Sequence, residues 1–587
     1  MCGIAGVMEV GGAPPDDVMV KALQAALRHR GPDGEGLFRE DSVALVHTRL
    51  AIIDLAGGGH PLHGNRGTAL VANGEIYNDP ELRAGLLADA PYRTGSDCES
   101  ILHLYERYGC NGLRRLRGMF AFALFDPAQH CLILGRDPFG IKPCYYVETP
   151  RRFAFASEPQ ALLAAGLVEP GLVSETAIEL LQLQFTTGRE TIFKNIYRLL
   201  PGEVIVVRQG RICERMILPA LPTGSQVDVP QLEALERLDQ TLMDSIEVHQ
   251  RSDVPFGLFL SSGIDSSAIL ACMSRLSGNG VEAFTASFPA TAVADEFDDA
   301  NSLAKALGAR HHRVEITARD FFRTLPQIAA CVDDPTADYA VVPTYILAEE
   351  AAKSVKVILC GEGGDELFAG YGRYRRQIKP WWLGGRKRRG RGPFSNRSLT
   401  SIDNSEWRRG IVAAERSCSQ GEWTLLQQAQ AVDCVDFLPH GLLTKLDRCL
   451  MAHGVEGRTP LLDRRVAELA FRLPTHLKIG QRRGKYLLRR WLDGNAPAAN
   501  AFARKKGFTV PVGQWIAQEG QRLGDLLARD PAIEEICPPD ITREIFSGSR
   551  KSDADAAWRL MFYALWHRRH LRGQRNDGDV FECLAES

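Results

Sequence analysis

Along its first third the chain places apolar residues in short runs, at 43–53, 69–72, 119–125 and 131–134, each bounded by turn signals such as Asp126-Pro127. Runs of this length predict antiparallel strands in packed sheets. Two stretches have helical spacing instead. One covers 16–28 and is stopped by Gly31-Pro32, and the other covers 97–108, with Ile101, Leu104, Tyr105 and Tyr108 on one face. Each is expected to cover a sheet. Past the loop-like residues 219–230 the rhythm changes. A helix marked by Leu232, Leu235, Leu238, Leu242 and Ile246 leads to a strand over 255–260, a Ser/Gly turn, a helix from Ser267 and a strand over 281–288. That βαβ order predicts a parallel sheet with ligands at the C-terminal ends of its strands. The expected division is a first domain over 2–215, a connector over 216–230 and a second domain over 231–575.

Composition narrows the function classes. A chain of 587 residues is too long for one core. Its formal net charge of −2 gives no electrostatic case for a nucleic-acid surface or for an anionic membrane. The 14 cysteines never form Cys-x-x-Cys, so neither a zinc ribbon nor a disulfide framework is expected, and a reducing cytoplasm fits. The first seven residues lack the basic start and apolar stretch of a signal peptide, and no apolar run is long enough to span a bilayer. The basic segment 375–397, with Arg386-Lys387-Arg388-Arg389, reads as an exposed, solvated loop. Small polar substrates are the expected partners, and a homodimer is left open.

Cys2 stands directly after the initiator methionine. Once that residue is removed, the thiol and a free α-amine lie within one residue, a nucleophile beside a base that titrates near neutrality. Downstream come Arg28-His29-Arg30-Gly31-Pro32-Asp33-Gly34, His47-Thr48-Arg49-Leu50-Ala51-Ile52-Ile53-Asp54, Asn73-Gly74-Glu75-Ile76-Tyr77-Asn78 and Thr94-Gly95-Ser96-Asp97. In order and spacing these resemble the glutaminase domain of class II amidotransferases, whose fold is the αββα N-terminal-nucleophile hydrolase. The resemblance implies a glutamine pocket with Arg49 on the α-carboxylate and Glu75 and Asp97 at the ammonium group. It also implies Leu50, Ile52 and Ile53 along the wall, and an oxyanion hole from Asn73 and the Gly74 backbone. Chemistry agrees, since a thiolate attacking an amide creates an oxyanion that needs preorganised donors.

The strand over 255–260 runs into Ser261-Ser262-Gly263-Ile264-Asp265-Ser266-Ser267 and a helix, where hydroxyls and backbone N–H groups can meet phosphate oxygens. No Gly-x-x-x-x-Gly-Lys-Ser/Thr occurs, which disfavours γ-phosphoryl transfer. The loop resembles that of ATP-pyrophosphatases, with Ser262 at a position where glycine is usual. A second strand over 355–359 delivers Cys360-Gly361-Glu362-Gly363-Gly364-Asp365-Glu366-Leu367-Phe368-Ala369-Gly370-Tyr371. Further on come Val455-Glu456-Gly457-Arg458-Thr459-Pro460-Leu461-Leu462-Asp463, Gly484-Lys485-Tyr486-Leu487-Leu488-Arg489 and Lys506-Gly507-Phe508-Thr509-Val510-Pro511. Together these resemble the asparagine synthetases that use glutamine, with Cys360 where serine is usual.

That resemblance implies an α/β adenine-nucleotide-hydrolase-like second domain that uses ATP and Mg²⁺. Asp265 and Asp365 would hold the metal, and Ser261, Ser262, Gly263 and Ser266 the phosphates. Leu260, Ala286, Cys360 and Gly361 would lie at the adenine. Glu362 would orient the acyl-adenylate or take a proton from ammonia, and Lys485 would stabilise departing pyrophosphate. The expected reaction amidates aspartate with ammonia drawn from glutamine, through a shielded passage. The competing readings are the same build acting on another carboxylate, with the acceptor read around 333–339, and a ring-closing synthetase whose glutaminase half is dead. The joint presence of Cys2, Arg49, Asn73 and Asp97 counts against the last.

Overall fold

The computed structural model describes residues 1–277, 280–293, 295–379, 382, 392–394, 407–419, 421–503 and 509–586. Arg386-Lys387-Arg388-Arg389 and Lys506-Gly507-Phe508 lie outside the described residues.

The first half is two stacked antiparallel sheets of six strands each. One runs in the order Tyr197–Arg198, Tyr145–Glu148, Arg152–Ala156, Gly3–Glu9, Val43–Arg49, Gly34–Glu40. The other runs Arg211–Ile217, Glu203–Arg208, Cys131–Arg136, Gly118–Asp126, Ala69–Ile76, Leu62–His63. Ile4, Met8, Leu45, Val71, Ala123, Leu134 and Phe155 fill the space between them. Helix Asp17–Ala26, capped by the Asp16 carboxylate on the Met19 N–H, lays Met19, Val20 and Leu23 over Ala5, Val7 and Val46. On the outer face of the other sheet, helix Glu99–Tyr108 lays Ile101, Leu104 and Tyr105 over Leu70, Ala72, Phe120 and Phe122. Strands covered on both faces read as continuous apolar runs, which is why the central strands of this αββα stack alternate so little.

Two expectations need correction. Tyr108, placed on the covered face of its helix, is exposed at the helix end. The strand expected over 43–53 stops at Arg49, and Leu50 and Ile52 remain apolar for another reason: they are buried in one apolar cluster with residues of the second half such as Leu258 and Leu461.

After Ile217 the chain reaches helix Gln231–His249 and then a five-stranded parallel sheet, in the order Arg310–Glu315, Glu282–Ser287, Phe256–Phe259, Val357–Leu359, Glu456–Arg458. Helix Ile264–Ser277 starts three residues before the expected Ser267, because the Ser/Gly loop turns straight into it. The long helix Lys551–His570 packs Trp558 and Phe562 into one core with Ile178 and Leu181 of the first half, so the two halves share buried apolar surface. Among the described residues no helix is long and apolar enough to cross a membrane.

Leu270 is fully buried in the helix that follows the Ser/Gly loop. Its replacement by alanine is expected to cost about 2–5 kcal/mol, read as a lowered urea midpoint by far-UV circular dichroism.

Candidate active site

Cys2 directly precedes strand Gly3–Glu9, which runs through the middle of the first sheet. Its backbone N–H donates to Asn73 Oδ1 at 3.0 Å, and its thiol lies 3.9 Å from the Leu50 carbonyl oxygen. With Oδ1 so engaged, Asn73 Nδ2 is buried with no hydrogen-bond partner among the described residues, a donor aimed at nothing the chain supplies. Gly74 must be glycine, since a Cβ there would stand 2.1 Å from the Met119 carbonyl oxygen on the neighbouring strand. Burial pushes the Cys2 thiol up, while the positive start of the chain pulls it down. That positive start is the Met1 ammonium, which is buried and pairs with Glu456 Oε2 at 3.0 Å.

Arg49 donates to the carbonyl oxygens of Asp54 at 2.5 Å and Leu55 at 3.1 Å. The loop carrying Leu50, Ile52 and Ile53 is held from the second half, where Asp253 donates its N–H to Ile52 O at 2.9 Å and accepts from the Asp54 N–H at 2.8 Å. Asp97 accepts from the Ile76 N–H, and burial pushes its carboxyl up to about 6. Glu75 is buried and faces Arg458 Nη2 at 3.3 Å, so its carboxylate reaches across to the second half.

In the second half a cavity of about 680 Å³ opens at the C-terminal ends of the parallel strands. It gathers Leu260, Ser261, Ser262, Gly263, Asp265, Ser266, Ala286, Cys360, Gly361, Glu362, Asp365 and Lys485. The loop is braced internally: Ser261 Oγ accepts from the Gly263 N–H at 3.1 Å, and Ser266 Oγ lies 3.0 Å from Ser261 Oγ. Ser262, where glycine is usual, stays outside the left-handed region, so its Cβ brings no backbone strain.

Lys485 Nζ bridges the carboxylates of Asp265 and Asp365, the latter at 2.7 Å. It is presented by a left-handed backbone at φ 58°, a conformation costing about 1–2 kcal/mol outside glycine. Beside it, a Cβ on Gly484 would meet the Ala369 carbonyl oxygen at 2.2 Å. Burial raises the Glu362 carboxyl, and the Lys445 ammonium opposes the rise.

Residues 237–568 match the family described as asparagine synthase, and residues 1–216 match the glutamine amidotransferase domain. The chain belongs to the asparagine synthase family. It is 30% identical to asparagine synthetase [glutamine-hydrolyzing] 1 of Bacillus subtilis (strain 168), over 97% of this chain and 96% of that protein. A putative asparagine synthetase [glutamine-hydrolyzing] of Mycobacterium tuberculosis (strain ATCC 25618 / H37Rv) is 32% identical over 97% of both. Asparagine synthetase B of Escherichia coli (strain K12) is 28% identical, over 88% of this chain and 83% of that protein.

The structure divides the stretch 333–339, the region in which the acceptor side is read. Asp333 pairs with Arg448 at 2.7 Å, Asp334 pairs with Arg198, and Tyr339 bonds Asp555. Asp338 lines the cavity, where it meets Lys445 Nζ at 3.1 Å. Most of the stretch is therefore spent on anchoring. Lys445 was missed, as were Arg30, Glu158, Asp447 and Arg448, all buried. A signal existed: three charges stand together inside the apolar run Leu442-Leu443-Thr444-Lys445-Leu446-Asp447-Arg448-Cys449-Leu450-Met451, a pattern that a buried helix carries only when its charges are paired.

Asp97 gives a pH test. Its folded pKa of about 6 lies above the ordinary 3.8, so the folded state holds its proton more tightly and the group costs stability as pH rises through that window. Asp97→Asn is expected to unfold later than the parent above pH 6, by up to about 3 kcal/mol, with no gain at pH 3. Denaturant titrations at the two pH values measure it.

Proposed function

We propose that this chain is a glutamine-dependent carbon–nitrogen ligase that converts aspartate to asparagine and releases glutamate, AMP and pyrophosphate. The observation that carries the reading is the joining, in one chain, of a half-buried thiol residue hydrogen-bonded to an asparagine whose amide donor is unpartnered, and a cavity in which one lysine bridges two strand-end carboxylates. The first suits attack on an amide, the second suits a nucleotide's phosphates.

In the glutaminase half, taken as 2–215, the Cys2 thiolate attacks the glutamine amide carbon, and Asn73 Nδ2 with the Gly74 N–H steadies the oxyanion. Arg49 holds the substrate's α-carboxylate, Asp97 and Glu75 its ammonium, and Leu50, Ile52 and Ile53 the chain between. Ammonia must cross to the other half unprotonated. The buried set Leu50, Ile52, Met119 and Ile141, continuous with Leu258 and Leu461, supports a dry route past the connector 216–230.

In the synthetase half, taken as 231–575, Ser261, Ser262, Gly263 and Ser266 hold the phosphates, and Leu260, Ala286, Cys360 and Gly361 the adenine side. Asp265 and Asp365 are hard oxygen donors gathered at one point, the kind of set Mg²⁺ accepts together with substrate phosphates. When bound, the metal supplies charge neutralisation at those phosphates. Lys485 takes up charge on the departing pyrophosphate, and Glu362, its carboxyl raised by burial, accepts a proton from the attacking ammonia. Every described cysteine is a free thiol, which supports a cytoplasmic setting.

A second reading, the same chemistry on a different carboxylate, is favoured by relatives named amidase, such as amidase chyE of Penicillium rubens, 28% identical over 78% of this chain. Incubation with glutamine, Mg-ATP and aspartate distinguishes them. Asparagine and AMP are expected, whereas AMP released only with other carboxylates selects the second reading and ADP as product rejects adenylation.

Cys2→Ala is expected to abolish glutamine use while ammonium salts still support AMP release. Lys485→Ala is expected to lower kcat about 10²–10³-fold with either nitrogen source, measured by pyrophosphate release.

A further inference from the structure

We infer that Asp447 is a positioning residue that couples filling of the ATP cavity to the glutaminase thiol, through Arg30 and the Cys2 carbonyl. The inference rests on the function proposed above and adds a physical connection between its two sites.

Helix Thr444–Met451 is buried along its whole length. Near its start Lys445 and Leu446 line the ATP cavity, and Lys445 Nζ holds Asp338 at 3.1 Å. Asp447 lies two residues past Lys445, about 200° further round the helix, and points the other way. There it accepts both terminal nitrogens of Arg30, at 2.8 and 3.0 Å. The third Arg30 nitrogen, Nε, donates to the Cys2 carbonyl oxygen at 3.2 Å. The guanidinium is planar and rigid, so a displacement of Asp447 carries over to the peptide that bears the nucleophile.

The surroundings leave that helix few independent ways to move. Arg448 ties it to Asp333 at 2.7 Å and braces Asp447 within the helix at 2.8 Å, and Arg30 is held from the first half by Glu158 at 2.6 Å. Filling the cavity changes what surrounds Lys445: anionic phosphates and an acceptor carboxylate compete with Asp338 for its ammonium. The helix responds as one body, and its far side is the Arg30 fork. Docking alone does not call for such a device, because well-packed apolar side chains join two halves as firmly as buried ion pairs do. What ion pairs add is direction, here one that ends on the backbone of Cys2.

The test uses the full chain and measures glutamate release from glutamine with and without Mg-ATP plus aspartate. In the parent protein kcat/KM for glutamine is expected to rise about fivefold or more when the cavity is filled, the low end of ordinary coupling between sites. In Asp447→Asn the rise is expected to vanish, while AMP release driven by ammonium salts is kept, a split that general destabilisation would not produce. Equal stimulation in both proteins, or none in the parent, overturns the inference. Should the variant fail to fold, hydrogen exchange on the parent decides: Mg²⁺ with α,β-methylene-ATP is expected to change protection in peptides covering both 2–7 and 444–451, and an unchanged N-terminal peptide overturns it. Glutamate release that ignores nucleotide rejects only the coupling, whereas absence of glutamate release under every condition rejects the proposed function and the coupling with it.

Discussion

Arg30, Glu158, Asp447 and Arg448 meet where water is excluded, and a buried charge stripped of its partner costs several kcal/mol. Two of the four come from the first half and two from the second, so neither half can present this surface alone without rehydrating it. The docked arrangement is therefore the one in which these charges are neutral as a group. Arg30 also holds the Cys2 carbonyl from 28 positions away, and Asp253 holds the loop after Leu50 from 199 positions away, so the surroundings of the thiol are fixed by both halves. Pocket geometry and docking are one constraint.

The second cavity is organised by the opposite shortage. Its wall carries Asp265, Glu296, Asp299, Asp338, Glu362, Asp365 and Glu366 against Lys445, Lys485 and Arg489, an excess of acid suited to a polyanion that arrives with its own cations. Lys485 holds two of the acids together from a strained backbone position, and strain of that kind persists only where neighbours over-determine it. Here the neighbours are Gly370 and Gly484, each packed too closely for a side chain.

Much of this was legible from residue order. The apolar runs marked the strands Ala69–Ile76, Gly118–Asp126 and Cys131–Arg136, and the change of rhythm after 219 marked the passage to the parallel sheet. The Ser/Gly loop and the segment that begins at Cys360 were recognisable because their chemistry acts between near neighbours, and the structure brings both into one cavity. Leu50 and Ile52 misled, since burial against another domain leaves the same apolar signature as burial in a strand. The stretch 333–339 is divided: Asp333 and Asp334 face arginines far along the chain, while Asp338 lines the cavity.

What the sequence by itself determined is local: which segments are strands or helices, and which short motifs carry a thiol, a Ser/Gly loop and strand-end carboxylates, all of them set by contacts between residues a few places apart. Only the tertiary structure decided that Arg30 would meet Asp447, 417 positions away, and that Glu75 would face Arg458. Ion pairing depends on distance in space and on exclusion of water, and neither is written in the spacing of residues along a chain.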